Sequence, residues 1–356
     1  MHQYRTNPDL SKTAEPMAKR KVNIKDVAAR ANVHPSTVSR VMNPETRSMV
    51  STSVAERITG IANEMGYARS PLASGLRTGK SFAIGVIIPD LSNPVFPPVV
   101  RGIERTLAGD GYIAILADSD NSQKSEQAIY ESMKSRRIDG LILATAHIDD
   151  PVVNECVQEQ LPVVLVNRTT DAHNVTEVAN NDELGIQLAV SHLKGLGHKQ
   201  IAFLGGPENT STGRDRLRAF KSANNPDPDL CFSCDAFTEE AGLAGMTTIL
   251  DLNKPFTAVV AANDLLALGC YDALNERGLK CPDDISVTGF NDMPFVDRLS
   301  PPLTSLRIPH DELGVQAASL LLAEIRDSDA RRKTIRLDPE LIVRQSTAAI
   351  SDLQSQ

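Results

Sequence analysis

Residues 24–43, IKDVAARANVHPSTVSRVMN, contain two short helical patterns separated by a break, and they decide the class of the amino-terminal part of the chain. In the first pattern, apolar residues recur at helical spacing after Asn23, a good N-cap. The second runs from Pro35 to Met42, and proline suits the first turn of a helix. A third helix is expected over about 53–65, with Gly66 as its stop. This order predicts an all-α helix-turn-helix head.

The second helix has the side chains that a DNA-reading helix needs. Val38 and Val41 face inward, and the outward residues are small or hydrogen-bonding: Ser36, Thr37, Ser39, Arg40 and Asn43. An arginine can contact guanine O6 and N7 together, which discriminates that base by about 1–3 kcal/mol. Ser, Thr and Asn at such positions usually hold phosphates. From this pattern alone, a small three-helix interaction domain remains an open alternative.

The charge of the chain is distributed unevenly. Residues 1–80 carry 13 Lys or Arg against 6 Asp or Glu, a net charge of +7, whereas the remaining 276 residues carry 24 against 39, a net charge of −15. An acidic body repels nucleic acid, so this distribution predicts a polyanionic partner for the head alone.

After Ser81 the pattern changes to short apolar runs that alternate with segments of helical length. The expected strands are 82–88, 112–117, 141–144, 163–166, 201–204, 258–261 and 285–288. The expected helices between them include 95–107, 122–136, 184–195 and 265–277. This alternation predicts βαβ units and a parallel sheet covered on both faces. Seven strands with their helices favour two α/β lobes over one small sheet.

The head closely resembles the DNA-binding signature of the LacI/GalR family of transcriptional regulators, and the resemblance continues along the chain. PLASGLRTGKS (71–81) is similar to the hinge of that family. The body resembles its effector-binding domain in GVIIPDLSNPVF (85–96), HLKGLGHKQIAFLGGP (192–207), AANDLLALG (261–269), ISVTGFNDMP (285–294), PPLTSLRIP (301–309) and LIVRQST (341–347).

The resemblance implies a domain organisation. It consists of a tail (1–20), a helix-turn-helix domain (21–69), a hinge helix with linker (70–80) and a periplasmic-binding-protein-like body (81–350) of two doubly wound lobes. The N-lobe is expected at about 81–180 and 308–336, and the C-lobe at about 181–307 and 337–350. Either Met1 or Met17 can be the true start.

The resemblance also implies a homodimer that binds a pseudo-palindromic, double-stranded operator. By analogy, Pro35, Ser36 and Arg40 read base edges. Leu76 corresponds to the hinge leucine that inserts into the minor groove, and Ala73 lies on the same short helix. Unstacking a base step in this way costs a few kcal/mol, which contacts to the bent DNA offset.

The body is expected to bind a small effector between its lobes. Residue by residue, the resemblance assigns the effector site to Phe96, Asn167, Arg168, Arg216, Asn263, Asn291 and Asp292. An aromatic face, arginines and amides suit a carbohydrate or sugar acid. Two alternatives stay open: Arg216 can be a surface arginine, and Asn263 or Asp264, with Asp264 favoured, can cap the helix that begins near Leu265.

The chain departs from the family pattern in four places. His34 replaces a serine that caps better, so the recognition helix is expected to start less firmly. Ser74 and Gly75 weaken the short hinge helix, which is then expected to form only on DNA. Asn291 stands where the family commonly has Asp, which favours a more anionic effector. The stretch 221–235 is shorter than usual and aligns poorly.

Signatures of other protein classes are absent from the sequence. TGKS at 78–81 precedes a strand and has the wrong glycine spacing for a phosphate-binding loop, and no other catalytic motif is present. The seven histidines lack metal-ligand spacing, and Cys231 and Cys234 form one CxxC without a second pair. No enzyme, cofactor or metal is therefore predicted.

The remaining expectations concern location and the sign of regulation. No apolar signal segment and no membrane span are visible, which favours a cytoplasmic protein associated with the nucleoid and not with a membrane. A transport-type binding protein shares the body but needs export and no basic head. A corepressor-dependent repressor, or an activator of the same fold, remains the alternative to a repressor that its effector releases.

Overall fold

The computed structural model describes residues 22–43, 46–67, 80–327 and 331–350. The chain divides into two compact units, Met1–Gly79 and Lys80–Gln356, which are treated separately below. The expected tail lies outside the described residues. Among the described residues, no helix is both long and apolar enough to cross a membrane.

In its described residues, the head unit has three helices and one short 3-10 turn at Arg47–Met49. The helices are α1 (Ile24–Ala31), α2 (Pro35–Val41) and α3 (Thr52–Glu64). Asn23 caps α1: its Oδ1 accepts the N–H of Asp26 at 3.2 Å, and the Asp26 carboxylate accepts the N–H of Asn23 at 2.9 Å. These reciprocal bonds satisfy two amides at the start of the helix. The core of the unit is aliphatic: Val27, Ala28, Ala31, Val38, Val41, Ala55, Ile58 and Ala62.

The first sheet of the body unit has six parallel strands in the order β11-β5-β4-β3-β1-β2. The strands are β1 (Ala83–Ile88), β2 (Ile113–Asp118), β3 (Gly140–Leu143), β4 (Val163–Val166), β5 (Thr176–Asn180) and β11 (Thr334–Leu337). The helices packed against them are α4 (Phe96–Gly109), α5 (Gln123–Ser135), α6 (Pro151–Glu159) and α11 (His310–Arg326). This sheet and these helices are called the first lobe.

The second sheet has the order β12-β10-β9-β8-β6-β7, and only its β10–β12 pair is antiparallel. The strands are β6 (Ile201–Gly205), β7 (Cys231–Ser233), β8 (Ala258–Ala261), β9 (Ser286–Asn291), β10 (Thr304–Arg307) and β12 (Glu340–Ile342). Its helices are α7 (Asp182–Gly195), α8 (Ser211–Asn224), α9 (Glu239–Asp251) and α10 (Asp264–Glu276). This sheet and these helices are called the second lobe.

The chain passes between the two lobes three times. It leaves the first sheet after β5, returns between β10 and α11, and crosses again between β11 and β12. Each sheet is therefore assembled from segments that are distant in sequence.

Paired glycines let helices approach closely in both lobes. In the first lobe, a Cβ on Gly102 of α4 would collide with the Asp311 carbonyl, and one on Gly314 of α11 with the Val99 carbonyl. In the second lobe, Gly242 and Gly269 bring α9 and α10 together in the same way. Backbone-to-backbone packing of this kind tolerates no larger side chain.

Seven apolar runs of the sequence are the strands β1, β2, β3, β4, β6, β8 and β9. The other five strands, β5, β7, β10, β11 and β12, do not coincide with an apolar run in the sequence. β5, TEVAN, is fully buried although it contains Glu177 and Asn180, and β7 and β12 have three residues each.

Candidate effector cleft and DNA-binding helix

The recognition helix α2 begins at Pro35, and His34 caps it. The Nδ1 atom of His34 accepts the N–H of Ser36 at 3.2 Å and lies 2.8 Å from Ser36 Oγ. An imidazole nitrogen therefore takes the place of a serine oxygen at the N-cap. Position 34 therefore supplies the acceptor that the helix amide needs, and the less firm start of the helix stays a prediction.

The exposure of α2 follows a helical period. Val38 and Val41 are 0% and 1% exposed, whereas Ser36 and Arg40, four residues apart, are exposed on one face. Pro35, Thr37, Ser39 and Asn43 are half-buried. No described residue accepts a hydrogen bond from the Arg40 guanidinium, so it is available to a ligand. Ala73 and Leu76 lie outside the described residues.

The body unit contains a cavity where the carboxyl ends of both sheets converge. Its lining residues are Pro89, Asp90, Asn93, Val95, Phe96, Asn121, Asn167, Arg168, Thr212, Arg216, Phe237, Thr238, Asn263 and Asn291. Most of them directly follow strands β1, β2, β4, β7, β8 or β9, or lie on α8. Open α/β sheets bind ligands at this edge, outside the carboxyl ends of their strands.

Asparagine shapes the backbone around this cavity. Asn121, Asn167 and Asn291 have φ angles of 50°, 68° and 112°, which lie in the left-handed region. Asparagine tolerates this region better than most residues. These strand ends can therefore turn sharply at the cavity without a glycine.

Arg216 is held rigidly in the second lobe. Only 3% of the residue is exposed, and its guanidinium donates to Asp182 Oδ1 at 2.8 Å and to the Ala262 carbonyl at 2.6 Å. The guanidinium carbon lies 3.8 Å from the centre of the Phe290 ring. Burial raises the pKa of Asp182, and Arg216 opposes this shift. Arg216 is thus a buried residue of the cavity and not a surface arginine.

Arg168 provides a second buried guanidinium, from the first lobe. It is 7% exposed and donates through Nη1 to the Thr145 carbonyl at 3.1 Å, and its Nε has no hydrogen-bond partner among the described residues. Burial lowers the pKa of Arg168 to about 10, so it stays charged near neutral pH. The cavity therefore contains two buried cations and one acidic residue, Asp90.

One of the expected cleft residues, Asn263, also has a structural role at the start of α10. Asn263, not Asp264, caps α10, since its Oδ1 accepts the N–H of Leu266 at 2.8 Å. The prediction that favoured Asp264 as the cap is therefore wrong. Asp264 is the first residue of the helix and accepts hydrogen bonds from the Met293 N–H (2.7 Å) and Ser305 Oγ (2.5 Å).

Asp292 does not line the cavity. Its carboxylate forms ion pairs with Arg307 at 2.8 Å and with Arg344 at 2.7 Å. Phe96, Asn167, Arg168, Arg216, Asn263 and Asn291 are brought together. Sequence reasoning did not assign Asp90, Asn121, Thr212, Phe237 and Thr238 to the cavity. Because Asp90 and Asn121 follow predicted strands, their positions could have indicated that they line the cavity. Phe237 follows β7, which the sequence pattern did not predict, so no signal pointed to it.

Comparison with known proteins extends this description. Residues 23–70 match the family of bacterial regulatory proteins named lacI, and residues 190–347 match the periplasmic binding protein-like domain. The transcriptional repressor CytR of Escherichia coli is 32% identical over 333 residues, which are 92% of this chain and 96% of CytR.

Two solved structures have a similar fold. A lac repressor dimer bound to operator and the anti-inducer ONPF matches with a TM-score of 0.82 at 26% identity, covering 93% of this chain and all of that one. A complex of the transcriptional regulator CelR with cellobiose matches with a TM-score of 0.71 at 26% identity, covering 92% and 100%. The fold class of a helical head and two periplasmic-binding-protein-like lobes is thus confirmed. The chain belongs to the lacI family of bacterial regulatory proteins, and it is a DNA-binding transcriptional regulator rather than an enzyme.

Proposed function

We propose that the chain is a repressor that binds a pseudo-palindromic operator as a homodimer and that a small carbohydrate or sugar acid in the cleft releases it from DNA. The observation that carries this proposal is the cavity with two buried guanidiniums, Arg168 and Arg216, beside Phe96 and five asparagines. Guanidiniums bind carboxylates or hydroxyls, amides pair with ring and hydroxyl oxygens, and an aromatic face covers C–H surface. The relative crystallised with cellobiose supports a carbohydrate.

The DNA-binding part of the proposal depends on the face of α2 that carries Ser36 and Arg40. Both side chains are exposed, and α2 is supported from behind by α1 and α3. Pro35, Thr37, Ser39 and Asn43 are proposed to set the register on the backbone. Ala73 and Leu76 are proposed to contact the minor groove, and residues 70–80 to form the hinge. Such a DNA partner is found at the nucleoid, so we propose a cytoplasmic location.

The outer strand β2 offers a surface for the homodimer. Ile113 and Leu116 are 64% and 38% exposed on this edge of the first sheet, and Leu91 beside it is 52% exposed. The Leu91 N–H donates to Asp118 Oδ2 at 2.7 Å, which places it at the end of β2. Exposed apolar side chains on an edge strand mark an interaction surface. The lac repressor structure that matches this chain is also a dimer.

The DNA interface is tested by footprinting the full chain on DNA that flanks its own gene, over a salt series. A protected pseudo-palindrome is expected. Arg40→Ala is expected to cost about 1–3 kcal/mol of operator binding and to relax discrimination at one base pair. Arg105→Ala, an exposed arginine of the body unit paired with Asp311, serves as the control. Equal affinity for operator and random DNA contradicts the proposal.

The dimer surface is tested by Ile113→Glu. Analytical ultracentrifugation is expected to show monomers, with weaker footprints. Val343→Glu is the matched control, because Val343 is similarly exposed (58%) on the second lobe. A dimer that survives Ile113→Glu and dissociates with Val343→Glu places the interface elsewhere.

Release by the effector is tested by linkage. Sugars and sugar acids are screened for loss of the footprint, and an active ligand is titrated with and without operator. Ligand and DNA are expected to weaken each other by the same factor, typically 1–3 kcal/mol in allosteric systems. Asn291→Asp should favour neutral sugars over sugar acids. A ligand that strengthens the footprint identifies a corepressor instead.

A further inference from the structure

A cluster of two carboxylates and one imidazole lies at the carboxyl edge of the first sheet. Glu126 is in the first turn of α5, His147 follows β3, and Asp150 is the N-cap of α6. Each side chain offers one ligand atom, and the three atoms all lie within 4.8 Å of one another. His147 Nδ1 is 3.8 Å from Asp150 Oδ2.

The cluster is buried, and two of its ligand groups lack partners. Glu126 and Asp150 are each 1% exposed. Glu126 Oε1 and His147 Nδ1 are buried and have no hydrogen-bond partner among the described residues. Asp150, in contrast, accepts the N–H groups of Val153 at 3.1 Å and of His147 at 3.0 Å. The Asp150 carboxylate is thereby fixed, whereas Glu126 Oε1 and His147 Nδ1 retain capacity for a ligand.

No lysine or arginine neutralises the two carboxylates directly. Within the described parts of the chain, neither Glu126 nor Asp150 has such a cation within 4 Å. Arg168 interacts electrostatically with Glu126 but forms no ion pair with it, and its Nη1 donates to the Thr145 carbonyl. Two buried carboxylates side by side are costly unless a positive charge accompanies them.

We propose that Glu126, His147 and Asp150 bind one divalent transition-metal ion of the Zn²⁺ class. One imidazole and two carboxylate oxygens match the ligands that Zn²⁺ takes in proteins. Tetrahedral Zn²⁺ keeps its ligand atoms roughly 3.3 Å apart, so the side chains converge by about 1.5 Å at most. The Thr145 hydroxyl, also buried without a partner among the described residues, is positioned on the same loop as His147. The bound ion cross-links α5 to the loop after β3.

The test measures metal binding directly and needs neither DNA nor effector. Chelator-treated full-length protein is titrated with Zn²⁺ by calorimetry and with Co²⁺ by absorption. One ion per chain is expected, with d–d bands and no thiolate charge-transfer band, because no cysteine belongs to the site. Zn²⁺ is also expected to raise the Tm, since it binds only the folded arrangement.

Matched variants decide the assignment. Glu126→Gln and His147→Ala should each weaken Zn²⁺ binding by more than the roughly 10–100-fold that loss of an outer-shell partner costs. Glu131→Gln, exposed on the same helix, and His173→Ala, an exposed histidine paired with Glu177 alone, should leave it unchanged. Glu126→Gln keeps the shape of the side chain, so the variant is expected to fold. Because it lacks the carboxylate, its Tm should no longer respond to Zn²⁺.

Three results would overturn the proposal. The first is a thiolate band, which places the ion at cysteines. The second is unchanged Zn²⁺ affinity in the folded Glu126→Gln variant. The third is no binding by the wild type, which means that the cluster is not a metal site.

Discussion

The carboxyl edges of the two sheets line the same cavity, but their polar side chains are satisfied to different degrees. In the second lobe, Arg216 is paired with Asp182, and Asp264 with a hydroxyl and an amide. In the first lobe, more of the buried groups lack a partner. Of the eleven buried side-chain atoms without a hydrogen-bond partner in the described residues, seven belong to residues 126–180.

The cavity therefore has a preformed wall in the second lobe and an adaptable wall in the first lobe. Buried polar groups that are fully bonded hold one geometry, whereas a buried group without a partner costs about 1–3 kcal/mol until it finds one. The second lobe therefore fixes the position of Arg216 before any ligand arrives. The first lobe can gain hydrogen bonds on binding, through Arg168 and its neighbours.

The largest expected effect on stability comes from removing Arg216 from the preformed wall in the second lobe. Arg216→Met removes the partner of Asp182, whose side chain is 11% exposed, and leaves that carboxylate buried without compensation. The free energy of unfolding should fall by about 3–5 kcal/mol, measured by denaturant titration. Arg218→Met, 72% exposed on the same helix, should change it by less than about 0.5 kcal/mol. Equal losses in both variants would show that the buried pair is not special.

The second prediction concerns pH. Burial raises the pKa of Asp264 from 3.8 to about 7. The folded state therefore binds this proton more tightly than the unfolded chain, and the associated stability is complete below about pH 4 and lost as the pH rises towards 7. The slope can reach about 1.4 kcal/mol per pH unit.

Asp264→Asn should remove this part of the dependence of stability on pH, measured as the free energy of unfolding between about pH 4 and 7, the window between the two pKa values. Asp311→Asn is the control, since Asp311 is exposed and paired with Arg105. Identical pH profiles for wild type and Asp264→Asn would show that the carboxyl does not titrate in this range.

The third prediction compares the two arginines. Arg168 has one hydrogen bond and no carboxylate within 4 Å among the described residues. Arg168→Met should therefore lower the free energy of unfolding by at most about 1–2 kcal/mol, because the loss of one charged hydrogen bond is partly offset when a desolvated charge is removed. Affinity for an active sugar acid should nevertheless fall at least as much as in Arg216→Met. A larger stability loss for Arg168→Met would reverse the comparison.

The smallest expected effect comes from removing a buried hydroxyl that has a hydrogen-bond partner or one that has none. Thr170 Oγ1, in the first lobe, is buried without a partner among the described residues, whereas Thr304 Oγ1, in the second, accepts the Arg344 N–H at 2.9 Å. Thr170→Val should raise the free energy of unfolding by up to about 1 kcal/mol, and Thr304→Val should lower it by about 1–2 kcal/mol. Thermal denaturation of both variants measures the difference. Changes of the same sign would contradict it.

The sequence predicted those parts of the fold that follow from local patterns. The helices of the head and the alternation of strands and helices could be found in this way, and six of the seven residues that the resemblance assigned to the effector site line the cavity. β5 was missed because the two polar residues Glu177 and Asn180 interrupt its apolar pattern, although both are buried. The cluster of Glu126, His147 and Asp150 was missed because its members lie on separate elements. Contacts between segments that are distant in sequence produce no periodic pattern from which they could be predicted.

The three passages of the chain between the lobes have a consequence for synthesis on the ribosome. β11 completes the first sheet and β12 the second, so neither lobe is finished until about residue 342 has been made. Until then, the edges of β5 and β10 have no partner in these sheets and can pair with other chains. A nascent chain therefore exposes both strand edges until about residue 342 has emerged, and a stop codon near residue 327 should yield aggregates rather than one folded lobe.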